Sequence, residues 1–172
     1  MRAAELTVRE ASQADVQQLA SIKPTACLHR DRIATAGSGS IRYLVVEAAP
    51  AVVGFAVLVL EQPDGWPGIT PRPQLLDLMV APGHRGRGIG TTLIAAAERF
   101  AMEAGRGEIF ISVEPEANRR AFDLYRRLGY VPLQEHPRES RWAFVDSGGN
   151  AHSGVEWCID LRKSLDQPGK HA

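Results

Sequence analysis

An α/β fold, a mixed sheet with helices packed on it, is what this sequence predicts, and three stretches predict it. The first, Leu75 to Val80, is a buried strand that runs through Pro82-Gly83 into a glycine-rich loop, Arg85-Gly86-Arg87-Gly88-Ile89-Gly90, and straight into a long helix. The second, Ile109 to Val113, is nearly all apolar, as a strand buried on both faces should be, and leads into a further helix. The third is a pair of apolar runs, Tyr43 to Ala48 and Val52 to Leu60, joined by Ala49-Pro50-Ala51, most simply an antiparallel hairpin.

The remaining elements follow in order. Leu6 to Arg9 alternates as a short first strand, and Ser12-Gln13-Ala14-Asp15 has the Ser-x-x-acid form of a capping box, opening a helix to about Ile22 that Pro24 ends. Leu28 to about Ala36 reads as a second short helix, followed by Gly37-Ser38-Gly39-Ser40. Gln62 to Gln74 holds four prolines and two glycines and is expected to be irregular; such a loop either shapes a substrate mouth or is a plain surface excursion. After the glycine loop, Ile89, Leu93, Ala96 and Phe100, with Gly90, Ile94, Ala97 and Ala101 beside them, form a wide apolar stripe at helical spacing; Gly105 stops the helix, and Glu98 and Arg99 fall on the solvent side. Asn118 caps the next helix, whose Ala121, Leu124, Tyr125 and Leu128 recur at three and four residues before Gly129. Trp142 to Val145, the turn Asp146 to Asn150, and Val155 to Leu161 make a last hairpin. Residues 1–165 are expected to form one domain and 166–172 a polar tail.

Composition sets bounds on the function. A chain of 172 residues, 44% hydrophobic, can bury about 70% of its unfolded surface and hold an independent core. Formal net charge is zero and Lys/Arg are scattered, so neither nucleic acid nor membrane is expected as a partner. No apolar run reaches the length of a membrane span and no signal-peptide pattern opens the chain, which points to the cytoplasm. Cys27 and Cys158 are far apart and read most simply as free thiols; the five histidines show no metal-ligand spacing, and no metal is expected.

The glycine loop is the chemical signal. Its backbone N–H groups lie where a helix begins and the helix dipole is positive, an anion site that needs no metal and fits a phosphate-bearing ligand. The alternative is a tight turn that binds nothing. A P-loop would need Gly-Lys-Ser/Thr, and no lysine occurs between Pro24 and Arg162. A Rossmann fingerprint wants its glycines after the first strand of a βαβ unit, and here the loop lies mid-chain. What the loop does resemble is the acyl-CoA motif of the GNAT family of N-acetyltransferases, Arg/Gln-x-x-Gly-x-Gly/Ala, matched position by position from Arg85 to Gly90. A second family signature follows at the family's spacing: Asn118, Ala121, Leu124-Tyr125 and Leu128-Gly129-Tyr130. The resemblance covers Leu75 to about Leu133.

The resemblance implies the GNAT fold, a mixed sheet of about seven strands with about four helices, splayed between strands 4 and 5. It implies transfer of an acetyl group from acetyl-CoA to a primary amine of a small molecule or peptide, by direct attack in a ternary complex. The alternative is a module that binds acyl-CoA without chemistry. Carried over, the backbone of Arg85, Gly86, Arg87, Gly88, Ile89 and Gly90, with the Thr91 hydroxyl, holds the CoA pyrophosphate. Glycine at 86, 88 and 90 keeps the approach open or permits the backbone angles. Met79 and Val80 supply main-chain groups to the pantetheine arm and an oxyanion donor to the thioester. Asn118 and Tyr125 face the sulfur, with Tyr125 as general acid; the alternative for Tyr125 is core packing. Asp77, an acid in an apolar strand, is the leading general base, its Asp-Leu-Met-Val setting resembling branches that acetylate polyamines, amino acids and aminoglycosides. Its alternative is a structural carboxylate bonded to nearby backbone, and Glu61, Glu114 and Glu156 are weaker candidates for the base. His29, Arg30 and Arg32 either meet an anionic substrate or form a solvated helix face; Trp66, Trp142 and Trp157 are candidates for a pocket wall, with ordinary strand residues the alternative for the latter two. Dimerisation among relatives makes a homodimer an expectation.

Overall fold

The computed structural model describes residues 5–62 and 72–166. Their elements are β1 (Leu6–Glu10), α1 (Val16–Ile22), α2 (Ala26–Ala36), β2 (Ile41–Ala48), β3 (Ala51–Val59), β4 (Gln74–Val80), α3 (Ile89–Glu103), β5 (Glu108–Val113), α4 (Arg119–Arg127), β6 (Val131–Pro132), β7 (Arg138–Val145) and β8 (Ala151–Ser164). One sheet runs in the order β1-β2-β3-β4-β5-β8-β6, with β7 paired to β8. All strand pairs are antiparallel except β4 with β5. The mixed sheet and four α-helices match the fold class that the sequence predicts. The eighth strand is the two-residue β6, too short to leave a periodic signal. Residues 63–71 of the predicted irregular loop, with Trp66, lie outside the described residues.

The sheet is buried on both faces. On one side α3 and α4 cover Leu44, Val46, Ala56, Leu58, Ile109, Ile111 and Leu161. On the other, α1 and α2 cover Tyr43, Val45, Phe55, Val57 and Val59. The hydrophobic stripe of α3 buries Ile89, Leu93, Ile94, Ala96, Ala97 and Ala101, as its spacing requires.

Two features of β4 and β5 open the middle of this sheet. Their parallel pairing extends only over Gln74–Phe110 and Leu75–Ile111, so the strands diverge beyond that point. Across β4, Phe55 faces Met79 and Val57 faces Leu76, so Asp77 and Leu78 together oppose Ala56. That extra residue is a β-bulge, and Asp77 carries it at a positive φ of 46°, the left-handed conformation that aspartate tolerates better than most residues.

One assignment made from helical spacing is corrected. Glu98 does not face solvent: it accepts from the Tyr130 hydroxyl at 3.0 Å and from the Lys163 ammonium at 2.9 Å, tying α3 to the segment after α4 and to β8. Both partners lie far along the chain, so helix periodicity does not reveal them.

Candidate active site

The loop between β4 and α3 is built by local signals. Pro82–His84 makes a single 3-10 turn, and the chain then passes through Gly86 and Gly88 at φ of 77° and 78°. Gly88 is the N-cap of the fifteen-residue α3, and a Cβ there would meet nothing within 4 Å, so open space lies in front of the helix terminus. Gly86, Arg87, Gly88 and Thr91 are exposed. The N–H groups of a first helical turn have no partners inside the helix, and here they face that space. These residues fit a pyrophosphate. Arg85 is spent otherwise, its Nε donating to the Val80 carbonyl at 3.2 Å and tying the loop to the end of β4. Gly90 sits within α3, and a Cβ there would meet Leu124 at 3.6 Å and Leu78 at 3.8 Å, ordinary contact distances. Gly90 is not among the positive-φ glycines, so its backbone angles do not require glycine.

The edge of β4 that faces the splay is selective. The Ala81 N–H donates to the Val53 carbonyl at 2.9 Å, so bonded and non-bonded pairs alternate along this ladder: Phe55–Met79 is bonded and Gly54–Val80 is not. The main-chain groups of Met79 are thus committed to β3, whereas those of Val80 point away from β3 toward the gap. Of the two residues nominated for the pantetheine arm, Val80 has the free N–H.

Helix α4 borders the same gap. Asn118 caps it, its Oδ1 accepting from the Ala121 N–H at 3.3 Å. Tyr125 is buried in the apolar cluster that also contains Ile89, Val113 and Ile159, with Leu78 and Val80 packed against it. Its ring centroid lies 6.1 Å from that of Tyr130. Burial pushes its pKa up to about 12, so the hydroxyl holds its proton throughout the neutral range. Asn118, Tyr125, Val80 and the glycine loop therefore lie on the α3–α4 side of the splay.

On the opposite side, under α1 and α2, lies a cavity of about 740 Å³ bounded by the α1–α2 junction, β4, β5 and the β7–β8 hairpin. Asp77 lines it. The alternative of a carboxylate bonded to nearby backbone is corrected: Asp77 Oδ2 accepts from side chains, Lys23 Nζ at 2.8 Å and Arg32 Nη1. Burial alone would raise its pKa, but the Arg32 and Lys23 charges overcome that and hold it well below the ordinary range, at about 2. Arg32 and His29 are buried, not part of a solvated helix face; His29 bonds the Tyr43 hydroxyl at 2.6 Å and the Lys23 carbonyl at 2.8 Å. Burial lowers the pKa of His29, leaving it neutral.

Among the other acids, Glu61 pairs with Arg106 at 2.8 Å and Glu114 accepts the Trp157 N–H at 3.2 Å. Glu156 lines the cavity. Trp142 lines it too, whereas Trp157 is exposed. Sequence reasoning missed Asp160 on β8, which lies opposite Ser112 of β5 and accepts two hydrogen bonds from Arg138, at 2.6 and 2.8 Å. A signal existed: Asp160 interrupts the apolar run Cys158 to Leu161 as Asp77 interrupts β4. Among the described residues, no His/Cys/Asp/Glu group is placed to hold a metal ion, and no helix is long and apolar enough to cross a membrane. Both cysteines are free.

A stability prediction follows from the Asp77 ion pairs. A folded-state pKa below the unfolded value gives stability that is fully present above about pH 4 and is lost as pH falls toward 2. The size is about 2 kcal/mol. Urea unfolding should show Asp77→Asn less stable than the parent by about that amount at pH 7, with the gap narrowing through pH 3 and closing below about pH 2. A gap independent of pH would mean that the carboxylate charge is not what stabilises this corner.

With this geometry in place, comparison with known proteins decides the family. The sequence profile of the acetyltransferase (GNAT) family matches residues 8–130, well over half of the chain. The chain belongs to the GNAT family. Its segments are similar to streptothricin acetyltransferase of Streptomyces lavendulae, 36% identical over 89 residues, covering 52% of this chain and 43% of that protein. They are also similar to thialysine N-epsilon-acetyltransferase of Bos taurus, 34% identical over 86 residues, covering 50% of this chain and 48% of that protein. The matches thus span less than half the length of these curated relatives. Among solved structures, the Paia N-acetyltransferase of Thermoplasma acidophilum in complex with coenzyme A superposes with a TM-score of 0.70 at 18% identity, covering 93% of this chain and 99% of that one. The ribosomal-protein-alanine N-acetyltransferase of Brucella melitensis gives a TM-score of 0.67 at 21% identity, covering 92% and 99%. At these identities the structural matches establish the GNAT fold.

Proposed function

We propose that this GNAT chain is an acetyl-CoA-dependent N-acetyltransferase acting on a primary amine by direct attack in a ternary complex. The observation that carries the reading is the convergence at the splay: an open helix N-terminus, the outward N–H of Val80 and the buried Tyr125 lie on one side, and a cavity of about 740 Å³ lies on the other. Family relatives named as acetyltransferases, and a fold neighbour holding coenzyme A, support it.

Bound acetyl-CoA supplies an acetyl group activated as a thioester. The chain supplies four things. The N–H groups of Gly88, Ile89, Gly90 and Thr91 hold the pyrophosphate, with Gly86 leaving room and Arg87 adding positive charge. The Val80 N–H donates to the acyl oxygen and stabilises the negative charge that grows there as the amine attacks. Tyr125 holds the proton that the departing thiolate needs. The Asn118 cap sets the first turn of α4 and hence where Tyr125 sits.

Asp77 takes a different role from the base first nominated. Moving a proton from an ammonium of pKa about 10 to a carboxylate near 2 is uphill by roughly 11 kcal/mol. A carboxylate held so low is a poor acceptor. Asp77 instead positions Lys23 and Arg32 in the cavity wall. The ammonium proton leaves to water in the open cavity, where Asp31 and Glu156 are the two wall carboxylates that form no salt bridge among the described residues.

Thiol release from acetyl-CoA, measured with pooled polyamines, amino acids, aminoglycosides and short peptides, tests the reading. Release that depends on one pool is the expected result. Tight CoA binding without release from any pool would instead make the chain a binding module.

A further inference from the structure

We propose that the acceptor is an amine that also carries a carboxylate, of amino-acid or short-peptide size, and that the carboxylate seats on the guanidinium cluster around Asp160. This rests on the acetyltransferase reading and names its substrate class.

The cavity floor is the first observation. Asp160 is buried and draws two guanidinium groups: Arg138, which binds it at 2.6 and 2.8 Å, and Arg72 at 3.7 Å. One carboxylate cannot neutralise two guanidinium groups, so the cluster carries a formal excess of one positive charge. A charge in a partly dry wall is costly until an anion meets it. Arg138 uses Nε and Nη2 on Asp160 and keeps its side chain 46% exposed, which leaves donors for a second carboxylate, the anion whose planar geometry a guanidinium matches. Across the cavity, Lys23 and Arg32 on Asp77 add two more cationic groups to the same walls.

The second observation is where the acids lie. Besides the two clustered aspartates, the cavity is lined by Asp31, Glu139 and Glu156. Glu139 is paired with Arg141, and Asp31 accepts the Ser147 N–H at 3.0 Å where the β7–β8 turn docks on α2. Glu156 lies two residues from Cys158 and four from Asp160 on β8, so an ammonium and a carboxylate on one molecule meet opposite charges in one cavity. A polyamine, cationic at every polar position, would set a positive charge against the Arg138–Arg72 cluster.

The third observation concerns the body of the acceptor. Trp142, Phe144 and His152 stack along the hairpin wall, with ring centroids 6.0 and 4.7 Å apart in succession. That face suits an apolar stem between amine and carboxylate. The volume, about 740 Å³, lies in the range of small-molecule sites.

Ligand-observed NMR on the CoA-saturated protein tests the proposal with matched pairs at millimolar concentration: phenylalanine against phenethylamine, lysine against cadaverine, and a dipeptide against its C-terminal amide. The carboxylate member of each pair should bind about ten- to a hundredfold more tightly. Arg138→Gln should remove that preference and Arg138→Lys restore part of it, with thermal unfolding reporting that both variants are folded. Equal or tighter binding of the decarboxylated members, no binding of any carboxylate, or a preference untouched by Arg138→Gln would overturn the proposal. Acetyl transfer, read in parallel, separates the two claims. Turnover that prefers the decarboxylated amines sinks the carboxylate site and keeps the enzyme. A carboxylate preference in binding without turnover keeps the site and sinks the enzyme.

Discussion

Replacing Tyr125 with phenylalanine should lower kcat by about 10²- to 10⁴-fold, a barrier increase of roughly 3 to 5 kcal/mol, while the KM for acetyl-CoA changes little. The substitution removes one oxygen and leaves the ring in its apolar cluster, so the loss is chemical and not structural. With its pKa pushed up to about 12 by burial, the phenol is protonated at every neutral pH and available to the thiolate as it departs. The effect should appear in kcat because the proton is needed only as the carbon–sulfur bond breaks. Steady-state kinetics with thiol detection gives the split directly. A loss of less than about tenfold would mean that water or the acceptor protonates the thiolate, and Tyr125 would return to core packing.

Gly88→Val should weaken acetyl-CoA binding by about a hundredfold, near 2.7 kcal/mol, and do so out of proportion to its effect on folding. At φ of 78° a β-branched residue is strained by about 1 to 2 kcal/mol. No atom lies within 4 Å of the added Cβ, so the protein is expected to fold, but the valine occupies the space before the α3 terminus where the pyrophosphate would lie. Calorimetry of CoA binding beside urea unfolding separates the two. Unchanged affinity with lowered stability would show that the loop is only a turn.

How far the sequence could be read depends on how far apart the interacting residues lie. The glycine loop, the apolar stripe of α3, the Asn118 cap and the stop at Gly129 are each written within a few residues, and the structure carries every one of them. The β2–β3 hairpin was legible for the same reason, with only Ala49-Pro50 between its strands. Glu98 was misplaced because helix periodicity describes only the residue's own helix, whereas its partners Tyr130 and Lys163 lie 32 and 65 positions away. Asp77 stands out in the sequence as an acid in an apolar strand, yet its partners Lys23 and Arg32 are separated from it by 54 and 45 positions. Asp160 carries the same local signal, but nothing nearby in the chain announces Arg138 or Arg72.

By itself, then, the sequence determined the local geometry of the glycine loop: a strand, a glycine-rich turn and a helix N-terminus follow one another, because backbone angles and the start of the helix are set within a few residues. Tertiary structure alone decided the rest. Which main-chain group of β4 is free depends on its register with β3, and the charge of the cavity depends on cations delivered by the α1–α2 junction, α2, the approach to β4, and β7. The physical reason is that hydrogen-bond alternation in a sheet and the pKa of a carboxylate are properties of neighbours in space.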